Sequence, residues 1–206
     1  MRCGLWLASD SSEQLAQAIR LLDAQDIPCA GSIDIPAPAV PDREAFLYRA
    51  GAWIFLGEAV PAGAIVQHLS GDALPGNVLR RYLEWQHNLL PYLSSVDAPQ
   101  ADEGFFRLGE SLLVCPLSNL GTVDVLLPAG QWTDLLTGEV VSGRFRRMRS
   151  PNAMPILARE GAVIPTGDAA YPTLHWYQAP EEAVGLMHAE PYHLIIHRDG
   201  TETCLR

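Results

Sequence analysis

Two aspartates stand where a carboxyl group has chemical use. Residues 3–9 form a short apolar run that ends in Asp10, and residues 27–33 form a second that ends in Asp34. In alternating strand–helix architecture, chemistry gathers at the carboxyl ends of strands, so a carboxyl group directly after a strand is a candidate site residue. Each aspartate also has an ordinary reading. Asp10 opens the cluster Asp10-Ser11-Ser12 ahead of a helix, where an N-cap explains it, and Asp34 precedes a proline-rich segment, where it initiates a turn. Trp6 offers an aromatic face near Asp10, although Trp6, Trp53 and Trp85 suit a core equally well.

Other reactive patterns are missing or wrongly spaced. His193 and His197 are four apart, which on a helix would suit one metal ion; in a strand they share a face but lie roughly 13 Å apart, so no metal site is expected. The four cysteines, Cys3, Cys29, Cys115 and Cys204, are widely separated, with no C-x-x-C pair. Reduced, buried thiols are the expectation rather than zinc or a dense disulfide framework. The chain has no glycine-rich phosphate loop, nucleophile elbow or H-E-x-x-H, and no cofactor is implied.

Patterning supplies the elements around these residues. Within 13–24, Leu15, Ala18, Ile19 and Leu22 recur at three and four, an amphipathic helix. Residues 35–41, rich in proline, exclude regular structure. A helix is predicted over 42–52, a third strand over 53–56, and a longer helix over 76–93 that Pro91 kinks or ends. Strand, helix, strand, helix is the rhythm of parallel α/β architecture. After a polar linker at 96–104, short β-rich runs follow at 111–115, 122–127, 131–136, 144–148, 154–157, 162–164, 173–177 and 193–197, divided by Gly, Pro and Asn turns. That spacing predicts an antiparallel β-sandwich.

Composition narrows the function. A chain of 206 residues with net charge −10 has no basic surface for nucleic acid. The cluster Arg144, Arg146, Arg147 and Arg149 reads as a solvated strand edge. No apolar run reaches the length of a signal sequence core or a membrane span, so neither membrane nor nucleic acid is an expected partner and the default location is cytoplasmic.

Three blocks in the second half follow known patterns: residues 106–116, FRLGESLLVCP, are similar to F-x-L-G-D-x-L-L-V-A-P; residues 125–138, VLLPAGQWTDLLTG, to Y-L-P-x-G-x-W-x-D-F-W-T-G; and residues 155–165, PILAREGAVIP, to P-x-F-V-R-A-G-A-I-I-P. In that order and spacing they resemble glycoside hydrolase family 31. Upstream, Leu89-Leu90-Pro91-Tyr92 is similar to the L-L-P-Y that ends the family's last barrel helix. Residues 27–35 resemble I-P-F-W-G-x-D-I-G, residues 41–49 resemble P-D-P-E-L-Y-x-R-W, and Trp6 to Asp10 resemble W-x-G-D-N.

The resemblance implies an α+β chain: a partial (β/α) barrel segment over 1–95, entered at about the sixth strand, then a linker over 96–104 and an antiparallel β-sandwich over 105–206. It implies Asp10 as general acid/base, Asp34 as a ligand of a sugar hydroxyl and Trp6 as a substrate wall. The aspartate nucleophile belongs to a strand that would precede Met1, so an α-glycosidase segment without its own attacker is expected. Pro36, Ala37 and Pro38 stand where the family has Gly-Gly-Phe, and the family's Arg-x-His has no clear counterpart, His68 coming nearest. Three barrel strands cannot close. The expected partners are therefore a missing upstream segment or a second copy, with an oligosaccharide or α-glycoside as substrate once a barrel is complete. The alternative is a non-catalytic sandwich that serves as scaffold or binds glycan weakly.

Overall fold

The computed structural model describes residues 4–32, 39, 41–71, 73–115, 122–148, 155–168, 172–178, 184–189, 192–199 and 201–205. The first half runs β1 (Leu5–Ala8), α1 (Ser12–Asp23), β2 (Cys29–Ser32), α2 (Arg43–Gly51), a π-helical turn (Ala52–Leu56), β3 (Ala59–Pro61), α3 (Ala62–Leu69), α4 (Ala73–Asn88) and α5 (Leu90–Leu93). Its three strands form one parallel sheet.

Local chemistry accounts for most of these boundaries. Ser11 caps α1, its Oγ accepting from the Gln14 amide at 3.3 Å, and Ala18 and Leu22 on the helix are buried against the sheet side of the core. Helix and strand pack so closely that a Cβ on Gly31 of β2 would lie 2.6 Å from Leu15 Cδ1. Asp42 caps α2 through the Ala45 amide at 2.8 Å. The helix predicted over 76–93 is divided at Leu89, which leaves helical geometry (φ −89°, ψ 1°) just before Leu90-Pro91.

The strand expected over 53–56 is not one. The chain leaves α2 directly into the π-helical turn, which buries Ala52, Trp53, Ile54 and Phe55 together and ends at Gly57 with φ 69°. A short apolar run has no period, so it does not separate a buried strand from a buried helical turn. The third strand is β3, three residues further on, and α3 follows it immediately.

Strand order also departs from the expected barrel segment. Successive strands of a (β/α) barrel lie side by side, whereas the observed order is β2-β1-β3, with the first strand in the centre. Ala8 at the end of β1 is level with Ser32 of β2 and Pro61 of β3. Both outer edges of this sheet are unpaired among the described residues.

The second half comprises β4 (Gln100–Asp102), β5 (Phe105–Leu108), β6 (Leu112–Val114), β7 (Thr122–Leu126), β8 (Trp132–Asp134), β9 (Val140–Val141), β10 (Arg144–Met148), β11 (Ile156–Arg159), β12 (Ala162–Gly167), β13 (Pro172–Tyr177), β14 (Val184–Ala189), β15 (Tyr192–His197) and β16 (Glu202–Leu205). All their pairings are antiparallel. Residues 96–104, polar in composition, include β4, which pairs with β5.

The six-stranded sheet β4-β5-β6-β11-β8-β9 is covered on both faces. Phe106, Leu108, Leu112, Val114, Ile156 and Ala158 join the core built by the helices, while Phe105, Leu113, Leu157 and Trp132 pack with Val123, Val125 and Phe145 of the β7–β10 pair. Burial on both faces is why β6 and the first three residues of β11 are apolar throughout instead of alternating. No helix among the described residues is long and apolar enough to cross a membrane. The fold is thus mixed, with helices and a small parallel sheet first and antiparallel sheets after.

Candidate functional site

Asp10 lies two residues beyond Ala8, at the carboxyl end of the central strand, and it is exposed. Its neighbours shape the turn. Ser9, 1% exposed, donates from Oγ to the Ser11 carbonyl at 2.8 Å and accepts from the Ser11 amide at 3.1 Å. That pair of bonds closes the turn beneath Asp10, and the cap of α1 is Ser11 rather than Asp10. Asp10 is therefore freed from the structural duty that most simply explains an aspartate before a helix. In open α/β sheets, ligands bind outside the carboxyl ends of strands where the strand order reverses. With the order β2-β1-β3, the end of β1 is such a place.

The remaining candidates do not gather around Asp10 in one described cluster. Asp34 lies outside the described residues. Trp6 is half-buried on β1, level with Ala30 and Ala59, and borders a cavity of about 330 Å³ with Gly4 and Gly57. Those glycines precede the first residues of β1 and β3, so this cavity opens at the amino end of the sheet, opposite to Asp10. His68 is buried in the last turn of α3, with Nε2 2.9 Å from the Pro41 carbonyl oxygen and its ring 4.9 Å from that of Phe46. These contacts pin α3 to the entry of α2.

In the motif blocks, the polar residues are structural. Asp134 is fully buried, and its Oδ1 accepts from the Leu136 amide at 2.7 Å, tightening the turn after β8. Trp132 donates from Nε1 to the Pro128 carbonyl at 3.0 Å, and Thr137 Oγ1 accepts from the Glu139 amide at 3.2 Å. Burial pushes the Cys115 thiol up to about 12, with Asp134 adding to the shift, so it stays a protonated core residue. Cys29 and Cys115 are free thiols. His193 and His197 both fall on β15. Among the described residues, no group of three or more His, Cys, Asp or Glu is placed to hold a metal ion.

One polar residue escapes the patterning although its signal is visible. Gln86 lies four residues after Tyr82 and three after Leu83 on the buried stripe of α4, and it is 2% exposed. Its Nε2 donates to the Ile54 carbonyl in the π-helical turn. Its Oε1, like the indole N–H of Trp53, is buried without a partner, and both residues line the Trp6 cavity.

Comparison with known proteins follows this geometry. Residues 89–164 match the glycosyl hydrolase family 31 C-terminal domain. They span α5 to the start of β12 and so include the six-stranded sheet from β4 to β11. No curated protein matches the chain. Among solved structures, the chain is similar to the cycloalternan-forming enzyme from Listeria monocytogenes, with 17% identity, TM-score 0.59, and coverage of 94% of this chain and 24% of that one. It is similar to the family 31 α-xylosidase from Xanthomonas citri at 16% identity and TM-score 0.56, covering 76% and 22%. The Flavobacterium johnsoniae family 31 dextranase matches at 22% identity and TM-score 0.51, covering 74% and 22%. At such identities the likeness is one of fold, and this chain spans under a quarter of each of those proteins. The likeness of this chain is thus to the C-terminal portion of glycosyl hydrolase family 31, by family pattern over residues 89–164 and by fold alone over most of the chain.

Proposed function

We propose that this chain is the C-terminal part of a retaining α-glycosidase, with Asp10 as its general acid/base and the attacking carboxylate supplied from outside these 206 residues. The observation that carries the reading is the place of Asp10: a carboxyl group just beyond the carboxyl end of the central strand, with capping done by Ser11 instead. The family 31 C-terminal domain follows in the same chain. On this reading residues 1–95 belong to a (β/α) barrel and residues 105–206 form its following sandwich. The strand order β2-β1-β3 then marks a sheet whose unpaired edges would rearrange to meet further strands.

Retention needs two carboxyl groups about 5–5.5 Å apart. One ionised carboxylate attacks the anomeric carbon as the protonated Asp10 gives its proton to the departing glycosidic oxygen. Asp10 then takes a proton from water, and that water releases the sugar from the glycosyl–enzyme ester. A general acid keeps its proton at neutral pH through burial or a neighbouring negative charge. An upstream half carrying the nucleophile would supply both to Asp10, which is exposed here. Asp34, which lies outside the described residues, would hold a sugar hydroxyl.

The test is release of an aryl alcohol from an aryl α-glycoside, measured on the chain alone and on the chain supplied with an upstream barrel half. Activity is expected only in the second case, and Asp10→Asn is expected to lower it by at least ~10²-fold. Hydrolysis by the chain alone, abolished by Asp10→Asn, overturns the assignment of the attacker. A second reading, a non-catalytic scaffold, is favoured by the exposure of Asp10. It predicts no activity in either case and no heat on titration with maltose, xylosyl oligosaccharides or starch.

A further inference from the structure

Between β1 and α1, one buried hydroxyl makes bonds that neither the strand nor the helix requires. Ser9 is 1% exposed, while Asp10 beside it is exposed. Both bonds of the Ser9 hydroxyl step over Asp10 to Ser11: Oγ donates to the Ser11 carbonyl at 2.8 Å and accepts from the Ser11 amide at 3.1 Å. The accepted bond closes a small ring whose backbone runs through Asp10. By such a ring a serine fixes the dihedral angles of the residue that follows it.

The helix accounts for Ser11 and not for Ser9. Ser11 Oγ accepts from the Gln14 amide at 3.3 Å, and the Ser11 carbonyl accepts the first helical bond from the Leu15 amide at 3.0 Å. Ser9 reaches no amide of α1 in its two bonds, which both end on the residue that caps the helix. On the other side, Ser9 follows directly on Ala8, the last residue of the central strand. Ser11 is thus tied to α1 and Ser9 to β1, and the Ser9 hydroxyl joins the two across Asp10. The backbone of Asp10 is held between two regular elements, and its exposed side chain keeps only its own rotamers.

A proton donor carried on a loop needs that support. A reacting group displaced by about 1 Å loses on the order of 10²-fold in rate, and a loop gives the required precision only where its backbone is fixed. We infer that Ser9 is the positioning residue of Asp10, its hydroxyl fixing the turn from which the Asp10 carboxyl meets the departing glycosidic oxygen. This role rests on the glycosidase reading of Asp10. Ser9 touches no reacting atom and acts only through the Asp10 backbone.

The experiment measures hydrolysis of an aryl α-glycoside by the chain supplied with an upstream barrel half, for the parent, Asp10→Asn, Ser9→Ala and Ser11→Ala. NMR relaxation of the Asp10 amide is measured on the 206-residue chain. Ser9→Ala is expected to lower kcat at least ~10-fold and to leave KM within about twofold of the parent. The order parameter of the Asp10 amide is expected to fall from about 0.85 toward about 0.6. Ser11→Ala removes the cap but keeps the amide and carbonyl that Ser9 holds, so it is expected to lower kcat less than Ser9→Ala does. Should Ser9→Ala fail to fold, Ser9→Cys, whose thiol is a weak donor and acceptor, takes its place. An unchanged kcat in Ser9→Ala, a loss confined to KM, an unchanged order parameter, or an equal loss of kcat in Ser11→Ala overturns the inference. Each of these leaves the glycosidase reading standing, because Asp10→Asn alone judges that reading. Absence of hydrolysis in the supplied chain, or hydrolysis that Asp10→Asn does not lower, overturns the reading, and the role of Ser9 falls with it.

Discussion

Ser11 and Asp10 are adjacent, and only one of them supports the helix. Ser11 Oγ accepts from the Gln14 amide, and Ser9 ties the Ser11 backbone from below. Replacing an N-cap serine by alanine costs about 1 kcal/mol, so Ser11→Ala is expected to shift the urea midpoint by that amount. Asp10→Ala, at an exposed position outside the cap, is expected to stay within about 0.5 kcal/mol of the parent. Paired urea melts of the two variants check this, and a loss at Asp10 equal to that at Ser11 would return Asp10 to a structural role. Residue chemistry of this kind was legible in advance, because capping involves groups within three residues. Which member of Asp10-Ser11-Ser12 would cap was not legible, since all three types are good caps and the choice depends on where β1 ends. The family blocks were equally readable, and within them Asp134 and Trp132 both make turn bonds to nearby backbone.

Among elements, the β7–β10 pair shows how a strand edge handles charge. Arg144 and Arg146 alternate on the exposed face of β10, and both reach Asp124 of β7, Arg144 at 2.8 and 3.1 Å and Arg146 at 2.7 and 3.1 Å. These bonds lower the Asp124 carboxyl from its ordinary 3.8 to about 2. A depressed folded value means that the stabilisation is fully present above about pH 4 and is lost as pH falls through about 2. The expected outcome is an NMR carboxyl titration of Asp124 centred near 2 that moves up toward 3.8 in the Arg144→Ala, Arg146→Ala double variant. Salt should shift it the same way, since these groups are exposed and screened. An unchanged midpoint in the double variant would remove the arginines as the cause. The basic alternation at 144–149 had been read as a solvated edge, and over Arg144 and Arg146 it is one. The short apolar run at 53–56 shows the opposite case. With no period to read, strand and helical turn were indistinguishable until α2 was seen to continue into it.

Across the whole molecule, the helices and one face of the six-stranded antiparallel sheet share one hydrophobic core, while the other face of that sheet packs in a second. Tyr92 of α5 joins them by donating from its hydroxyl to the Leu108 carbonyl at 2.8 Å and accepting from the Ser111 amide at 3.2 Å. Burial raises its phenol pKa, which keeps the donating proton in place. Because no boundary divides the core that helices and sheet share, calorimetry of the chain is expected to show one unfolding transition. Tyr92→Phe is expected to lower the whole transition by about 1–3 kcal/mol without splitting it. Two separate transitions would show that the sheet and the helices fold as independent units. By itself, the sequence determined caps, turns, helix periods, the change to β-rich patterning near residue 105 and the family 31 blocks, because each rests on neighbours a few residues apart. Tertiary structure alone decided the order β2-β1-β3, the burial of the central sheet on both faces, and the bond from Gln86 of α4 to the Ile54 carbonyl in the π-helical turn. Those depend on pairings between distant segments, where the winning arrangement is the one that hides most apolar surface, and no local spacing records it.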